Sequence, residues 1–325
     1  MIDRYGRTID YLRISVTDRC NLRCRYCMPE GIESVPMLQI LTFEEIRDVV
    51  RAAAANGIRH IKLTGGEPLV RKGLPDLVRM LKAVDGIEKV TLTTNGVLLG
   101  LYLPELIEAG LDAVNISLDT TDRQKYKELT GSDELNTVMS AIHIANELDI
   151  RVKVNAVSLD LGEANIRNLI EIARQDPIDV RFIEMMPIGF GKNFETVNHR
   201  DLFKKLETMY SGIMIDEREH GFGPAVYYKI PGYLGSIGLI SAIHGKFCNT
   251  CNRIRLTSQG YLKTCLCFSD GVDLRAILRE SPEGTDIDQA LRDAIREAIL
   301  RKPGEHCFDK PEEITEEAGM NAIGG

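Results

Sequence analysis

The chain has 325 residues, 44% of them hydrophobic and 27% charged, a soluble globular composition with material for one large domain or two smaller ones. No apolar run is long enough to cross a bilayer, and the Met1-Ile2-Asp3-Arg4 start lacks the basic-then-apolar character of a signal peptide, so a cytoplasmic protein with no membrane partner is expected. A net charge of −8 argues against nucleic acid as a partner and confines any phosphate site to local basic residues.

Tyr11 to Val16 alternate as a short strand, and a cysteine loop follows it, Cys20-Asn21-Leu22-Arg23-Cys24-Arg25-Tyr26-Cys27. Three thiols this close suit one loop wrapped around one metal centre. They leave a coordination position open on either a zinc ion or a four-iron cluster, and an open position implies chemistry. Zinc loops usually pair cysteines as C-x2-C and return later with a second pair. The wider first gap here, with a third cysteine at once, favours iron–sulfur. Tyr26 sits beside the last thiol, where a flat ring would cover a bound adenine.

Thr42, with Glu45 three residues on, reads as a capped helix start running to about Asn56. Strand-length apolar runs then recur near His60–Leu63, Val90–Thr93, Ala113–Ser117, Val152–Val157 and Val180–Ile183. Helical patterns separate them near Leu74–Val84, Pro104–Ala109, Thr137–Leu148, Ile166–Arg174 and Arg200–Tyr210. Alternation of this kind predicts parallel strands with right-handed crossovers. The fold class expected is α/β, an incomplete (β/α)6 TIM-like barrel over about 1–210. Active sites of such barrels lie at the C-terminal strand ends. Polar residues stand there: Thr64-Gly65-Gly66-Glu67-Pro68, Thr93-Thr94-Asn95-Gly96, Ser117-Leu118-Asp119, Lys153 and Asn155, and Glu184-Met185-Met186.

The cysteine loop followed by Gly65-Gly66-Glu67-Pro68 after the second strand resembles the radical S-adenosylmethionine (SAM) superfamily. After about Gly212 helices give way to extended segments near Ile213–Asp216, Val226–Ile230 and Ser236–Ile240. A second cysteine group follows, Cys248-x2-Cys251-x13-Cys265. Its spacing alone fits zinc or iron–sulfur equally, with Cys267 or His244 as a fourth zinc ligand, and Cys267 can also stand in for Cys265. Cys307 reads as an isolated inert thiol. Arg253 and Arg255 lie two apart on an extended run and so share a face, a pair suited to phosphate or a purine edge. Arg13, Lys62, Lys153 and Arg181 add basic character on the expected barrel strands. Helices are expected near Asp273–Arg279 and Asp286–Arg301.

CNLRCRYCMPE, LTGGEPLVRKGL, TLTTNG, NISLDT, RFIEMMPIG, FCNTCNRIRLTSQGYLKTCL and a terminal Gly324-Gly325 together resemble the GTP 3′,8-cyclases of molybdenum cofactor biosynthesis, in order over nearly the whole chain. The change of pattern places a boundary near 235, which divides the chain into a radical SAM partial barrel over 1–235 and a C-terminal region over 236–325, and the resemblance implies that the latter is an auxiliary-cluster and substrate-binding region ending in a diglycine tail. It implies that Cys20, Cys24 and Cys27 hold a [4Fe-4S] cluster that binds SAM, with Tyr26, Gly66, Ser117 and Met186 contacting SAM. Cys248, Cys251 and Cys265 hold a second [4Fe-4S] cluster. Arg13, Lys62, Thr93, Lys153, Arg253, Ile254 and Arg255 contact GTP, Lys62 standing where the family usually carries Arg and so lacking the bidentate fork. His60 also stands where a basic side chain is usual, and a structural role suits it equally.

The implied reaction begins with reductive cleavage of SAM and loss of the ribose 3′ hydrogen to the 5′-deoxyadenosyl radical. It ends with ring closure onto carbon 8 of guanine. Its partners are a one-electron donor protein and the next enzyme of the pathway, and a homodimer is compatible with the sequence. Two rivals stand beside this reading: a peptide-modifying radical SAM enzyme with auxiliary clusters, and a zinc-stabilised binding protein.

Overall fold

The computed structural model describes residues 1–29, 35–195 and 197–323. The expected diglycine, Gly324-Gly325, lies outside the described residues. Six βα units come first. They are β1 (Tyr11–Ser15), α1 (Phe43–Ala55), β2 (His60–Thr64), α2 (Leu74–Lys82), β3 (Lys89–Thr94), α3 (Leu99–Glu108), β4 (Ala113–Ser117), α4 (Arg123–Thr130) with α5 (Leu135–Glu147), β5 (Arg151–Val157), α6 (Glu163–Gln175), β6 (Asp179–Ile183) and α7 (His199–Met209). The remainder supplies β7 (Met214–Ile215), β8 (Val226–Lys229), β9 (Ile237–Ile240), β10 (Arg253–Leu256), β11 (Tyr261–Lys263), β12 (Gly271–Asp273), α8 (Leu274–Glu280) and α9 (Ile287–Leu300).

All the strands join one sheet, in the order β12-β11-β10-β1-β2-β3-β4-β5-β6-β9-β8-β7. β10 pairs parallel to β1 and β9 parallel to β6, so the parallel run is two strands wider than the six expected. The sheet and its core therefore continue across the expected division at 235/236. The α4 helix was absent from the sequence-based expectation. It is short and polar, but Asp122 caps it by accepting the Lys125 N–H, and Gly131 ends it in the left-handed region at φ 72°. Helix α3 begins five residues before Pro104, which the sequence pattern suggests as a helix start.

Local chemistry explains the boundaries. Thr42 and Glu45 exchange both hydrogen bonds of a capping box at α1, at 3.2 and 2.7 Å. Asp273 and Asp286 cap α8 and α9 in the same accepting role. Parallel strands covered on both faces usually read as continuous apolar runs. Here they alternate. Leu12, Ile14, Ile61, Leu63, Val114 and Ile116 are fully or almost fully buried in the core under the helices, while Arg13, Lys62, Thr93, Asn115, Lys153 and Arg181 occupy the other face.

The loop to Cys20 has no regular structure and is fixed by the second βα turn instead. Gly66 N–H donates to the Thr17 carbonyl and Glu67 N–H to that of Arg19, both at 2.8 Å. A Cβ on Gly66 would collide with the Arg19 carbonyl, and one on Gly65 with that of Thr17. Gly66→Ala is expected to leave the far-ultraviolet circular dichroism unchanged while the iron that the Cys20 loop is expected to hold falls. A variant with full iron content would remove this account of the glycine.

Candidate active site

A cavity of about 320 Å³ lies at the C-terminal ends of the parallel strands, and both cysteine groups line it. Cys20, Cys24 and Cys27 come from the loop after β1, braced by Arg23 and Arg25 N–H groups donating to Thr130 and Leu129 carbonyls at 2.8 and 2.9 Å. All eight cysteines are free thiols. Burial and then the neighbouring Cys20 push Cys27 up to about 11, and burial, Asp119 and the other two cysteines push Cys24 well up. The three sulfurs thus repel one another as thiolates, and a cationic metal core would relieve that repulsion. The Leu22 N–H at 3.4 Å and the Asn95 Nδ2 at 3.8 Å donate to Cys20 Sγ.

Cys248, Cys251 and Cys265 come from the turn before β10 and the loop after β11. Burial raises Cys251, but Arg253 and Lys302 outweigh it and bring the thiol down to about 6. Cys267, weighed above as a replacement for Cys265, is fully buried outside the cavity lining. Its Sγ lies 3.0 Å from Cys307 Sγ, so Cys307 is not isolated. His244 is paired with the buried Glu184 rather than with a thiol. Among the described residues no three His, Cys, Asp or Glu side chains converge closely enough to grip a single ion. A four-iron cluster spreads its three thiolates over three irons and does not need that convergence.

Tyr26, Gly66, Ser117 and Met186 line the same cavity, as do Arg13, Thr93, Arg253 and Arg255. Tyr26 donates its hydroxyl to Asp119 at 2.7 Å, and Asp119 also accepts the Val157 N–H at 2.8 Å. Lys62, Lys153 and Ile254 are outside the lining. Ile254 is fully buried in the core, where β10 pairs with β1. Lys62 and Lys153 belong to a buried group of cations. Register makes Arg255, Arg13 and Lys62 neighbours across β10, β1 and β2. Burial lowers all three, and the neighbouring arginines lower them further. Burial and then Arg181 bring Lys153 down to about 7, against partial support from Asp179 at 3.6 Å. Arg181 itself donates to Asn155 Oδ1 at 2.8 and 2.6 Å. Gly238 opposite it leaves room for its stem. His60 is buried and stacks on Phe222 with ring centroids 3.4 Å apart, a structural position.

Several lining residues carry no sequence signal of their own. Arg7, Lys302, His306, Met320 and Asn321 reach the cavity from the two chain ends. The His306 N–H approaches Cys248 Sγ at 3.4 Å, and the Asn321 N–H donates to Cys27.

Residues 14–175 match the model of the radical SAM superfamily, and residues 178–308 match the model described as Molybdenum Cofactor Synthesis C. A GTP 3′,8-cyclase of Clostridium perfringens (strain SM101 / Type A) is 42% identical over 327 residues, covering 100% of both chains. That of Pelotomaculum thermopropionicum is 43% identical over 312 residues, covering 94% of this chain and 95% of its own. Among solved structures, Streptococcus suis SuiB bound to S-adenosylmethionine superposes with a TM-score of 0.65 over 96% of this chain and 77% of its own, at 15% identity, a likeness of fold. The radical SAM match implies a four-iron cluster and SAM, and the full-length identity fixes the branch: this chain belongs to the GTP 3′,8-cyclase family of radical SAM enzymes.

Proposed function

We propose that the chain converts GTP into (8S)-3′,8-cyclo-7,8-dihydroguanosine 5′-triphosphate, an early step of molybdenum cofactor biosynthesis. Cys20, Cys24 and Cys27 would hold the SAM-binding cluster, and Cys248, Cys251 and Cys265 a second [4Fe-4S] cluster. The observation that carries the reading is the cation group under the cavity. Arg13, Lys62, Lys153, Arg181 and Arg255 each lose charge stability through burial or lower a neighbour's. Asp179 approaches Lys153 of this group at 3.6 Å. Such a group invites a polyanion, and in a chain of net charge −8 it is a local construction.

A cluster held by Cys20, Cys24 and Cys27 would supply the one-electron reduction needed to cleave SAM. The protein's own part is placement and exclusion. Asp119 fixes the Tyr26 ring through its hydroxyl, and the Gly65-Gly66 backbone lets a ligand approach closely at the end of β2. Arg13, Arg253 and Arg255 line the wall where the nucleotide would lie, with Thr93 as a neutral contact. Lys62 and Lys153 act from beneath, as charge. Arg253 is braced over the Phe247 ring at 4.9 Å. The ribose of GTP would be held against SAM, turning hydrogen abstraction into an intramolecular event. A one-electron donor protein and the next enzyme of the pathway are the partners this chemistry calls for. Its clusters and eight free thiols suit a reducing, cytoplasmic setting.

Anaerobic incubation with SAM, GTP and a reductant should give 5′-deoxyadenosine together with a cyclised nucleotide of unchanged mass until workup. An untouched nucleotide would refute the assignment. Cys24→Ser should abolish SAM cleavage in the same assay. Arg255→Ala should lower kcat/KM for GTP roughly 10- to 100-fold, the worth of a charge-assisted hydrogen bond, while iron content stays intact. GTP binding should also be linked to protons. With Lys153 at about 7 when free, it is mostly neutral at pH 8, and a nearby phosphate restores its charge. Calorimetry at pH 8 should therefore show uptake of about one proton per GTP, with affinity falling as pH rises above 7. A binding enthalpy independent of the buffer would remove Lys153 from the phosphate site.

A further inference from the structure

Two buried cations outside the GTP-facing group donate chiefly to backbone carbonyls. Arg7 is 5% and Lys302 4% exposed. Arg7 Nε donates to Asp3 Oδ2 at 2.7 Å, and its Nη2 lies 2.6 Å from the same oxygen. Nη1 donates to the carbonyls of Cys248 and Gly304, both at 2.9 Å, and Nη2 to that of Pro303 at 2.7 Å. Every nitrogen of the guanidinium is thus engaged, through four hydrogen bonds and the ion pair with Asp3. Lys302 Nζ donates to the Arg253 carbonyl at 3.0 Å and to the Thr264 carbonyl at 2.5 Å.

The carbonyls chosen are informative. Cys248 is itself one of the second cysteine group. Arg253 follows Cys251 by two residues, and Thr264 immediately precedes Cys265. Each cysteine thus has, at its own residue or within two of it, a carbonyl bonded to a fixed positive charge, and the two charges are joined through consecutive residues 302–304. Asp3, Arg7, the cysteine turns and residues 302–304 are far apart in sequence, so no local structure would hold this spacing without them.

We propose that Arg7 and Lys302 are positioning residues for the second cluster, forming a cationic collar that sets the spacing of its three ligands and raises its reduction potential. The inference rests on the two-cluster reading above. The spacing follows from the carbonyl bonds. The potential follows from sign: a buried cation stabilises the reduced, more negative state of a thiolate-ligated cluster, so removing one moves the potential down. Lysine in place of Arg7 keeps the charge but offers a compact head that cannot span four acceptors in three segments. Methionine in place of Lys302 keeps most of the volume and deletes the charge.

The test uses the full chain, purified anaerobically, as wild type, Arg7→Lys and Lys302→Met. It measures iron and sulfide per chain, electron paramagnetic resonance of each cluster, the midpoint potential of the second, and SAM cleavage without GTP as an internal gauge of the first. Arg7→Lys is expected to fall from about eight iron atoms towards about four, with SAM cleavage retained. Lys302→Met is expected to shift the second midpoint to more negative potential with the first unchanged. Wild-type iron, spectra and potential in both variants would overturn the collar, as would loss of both clusters together, since the effect would then not be directed at the second site. A wild-type chain holding only about four irons and one signal would instead refute the two-cluster reading itself.

Discussion

Mutual repulsion among cations on the inner face of the sheet is the constraint to which the rest of the molecule answers. Arg255, Arg13 and Lys62 stand side by side across three adjacent strands, and Arg181 acts on Arg13, Lys62 and Lys153. No sheet would gather these charges for stability, because desolvation and like charge both oppose it. The register of the strands imposes it, and the apolar outer faces of those strands, packed under the helices, supply the opposing free energy. One residue of slip would turn the charges into that core and the aliphatic side chains into the cavity. The same alternation that makes the sheet fold therefore fixes where negative charge is wanted.

Above that floor the metal-ligand candidates sit on irregular backbone, which ordinary secondary structure does not hold. Each cysteine turn is secured by a different device. The first leans on the glycine turn after β2 and on the end of α4. On the opposite flank, the buried Glu184 accepts the Ile243 and His244 N–H groups at 2.6 and 3.1 Å, pinning the segment that leads to Cys248 to the end of β6. The C-terminal residues touch both groups, through His306 at Cys248 and Asn321 at Cys27. A smaller apolar cluster including Ile188, Leu266, Phe308 and Ile323 holds that stretch in place. The radical chemistry of the family requires substrate and SAM to meet without stray partners, and the far end of the chain contributes part of the cavity wall.

Much of this was legible from residue order. The six strands of the first half and the helices between them follow from apolar periodicity, and their polar C-terminal ends foretell the cavity. The cysteine spacings mark the two thiol groups that the structure brings to one cavity, and Arg253 and Arg255 declare a shared face by standing two apart. What was not legible is what depends on partners distant in sequence. Nothing in Ser236–Ile240 or Arg253–Leu256 says that these segments lengthen the parallel sheet at opposite ends, because parallel pairing leaves no turn to read. Helix α4 escaped because few of its residues are buried, leaving cap chemistry as its sole signal. The bonds of Arg7 and Lys302 go to carbonyls hundreds and dozens of residues away, invisible to any window. Cys307 looked solitary for the same reason, its neighbour being 40 positions earlier.

The way β1 is bracketed has a consequence for how the chain is made. β1 gains β2 as soon as the first βα unit is complete, but its other edge waits for Arg253–Leu256. Until roughly four-fifths of the polypeptide has been synthesised, a ladder of unpaired N–H and C=O groups stays open beside the loop that carries Cys20, Cys24 and Cys27. Open edges recruit foreign strands. A ribosome stalled before β10 would thus release a species with correct local structure and an adhesive border, and late closure of that border is the event that converts a sticky nascent sheet into a finished one.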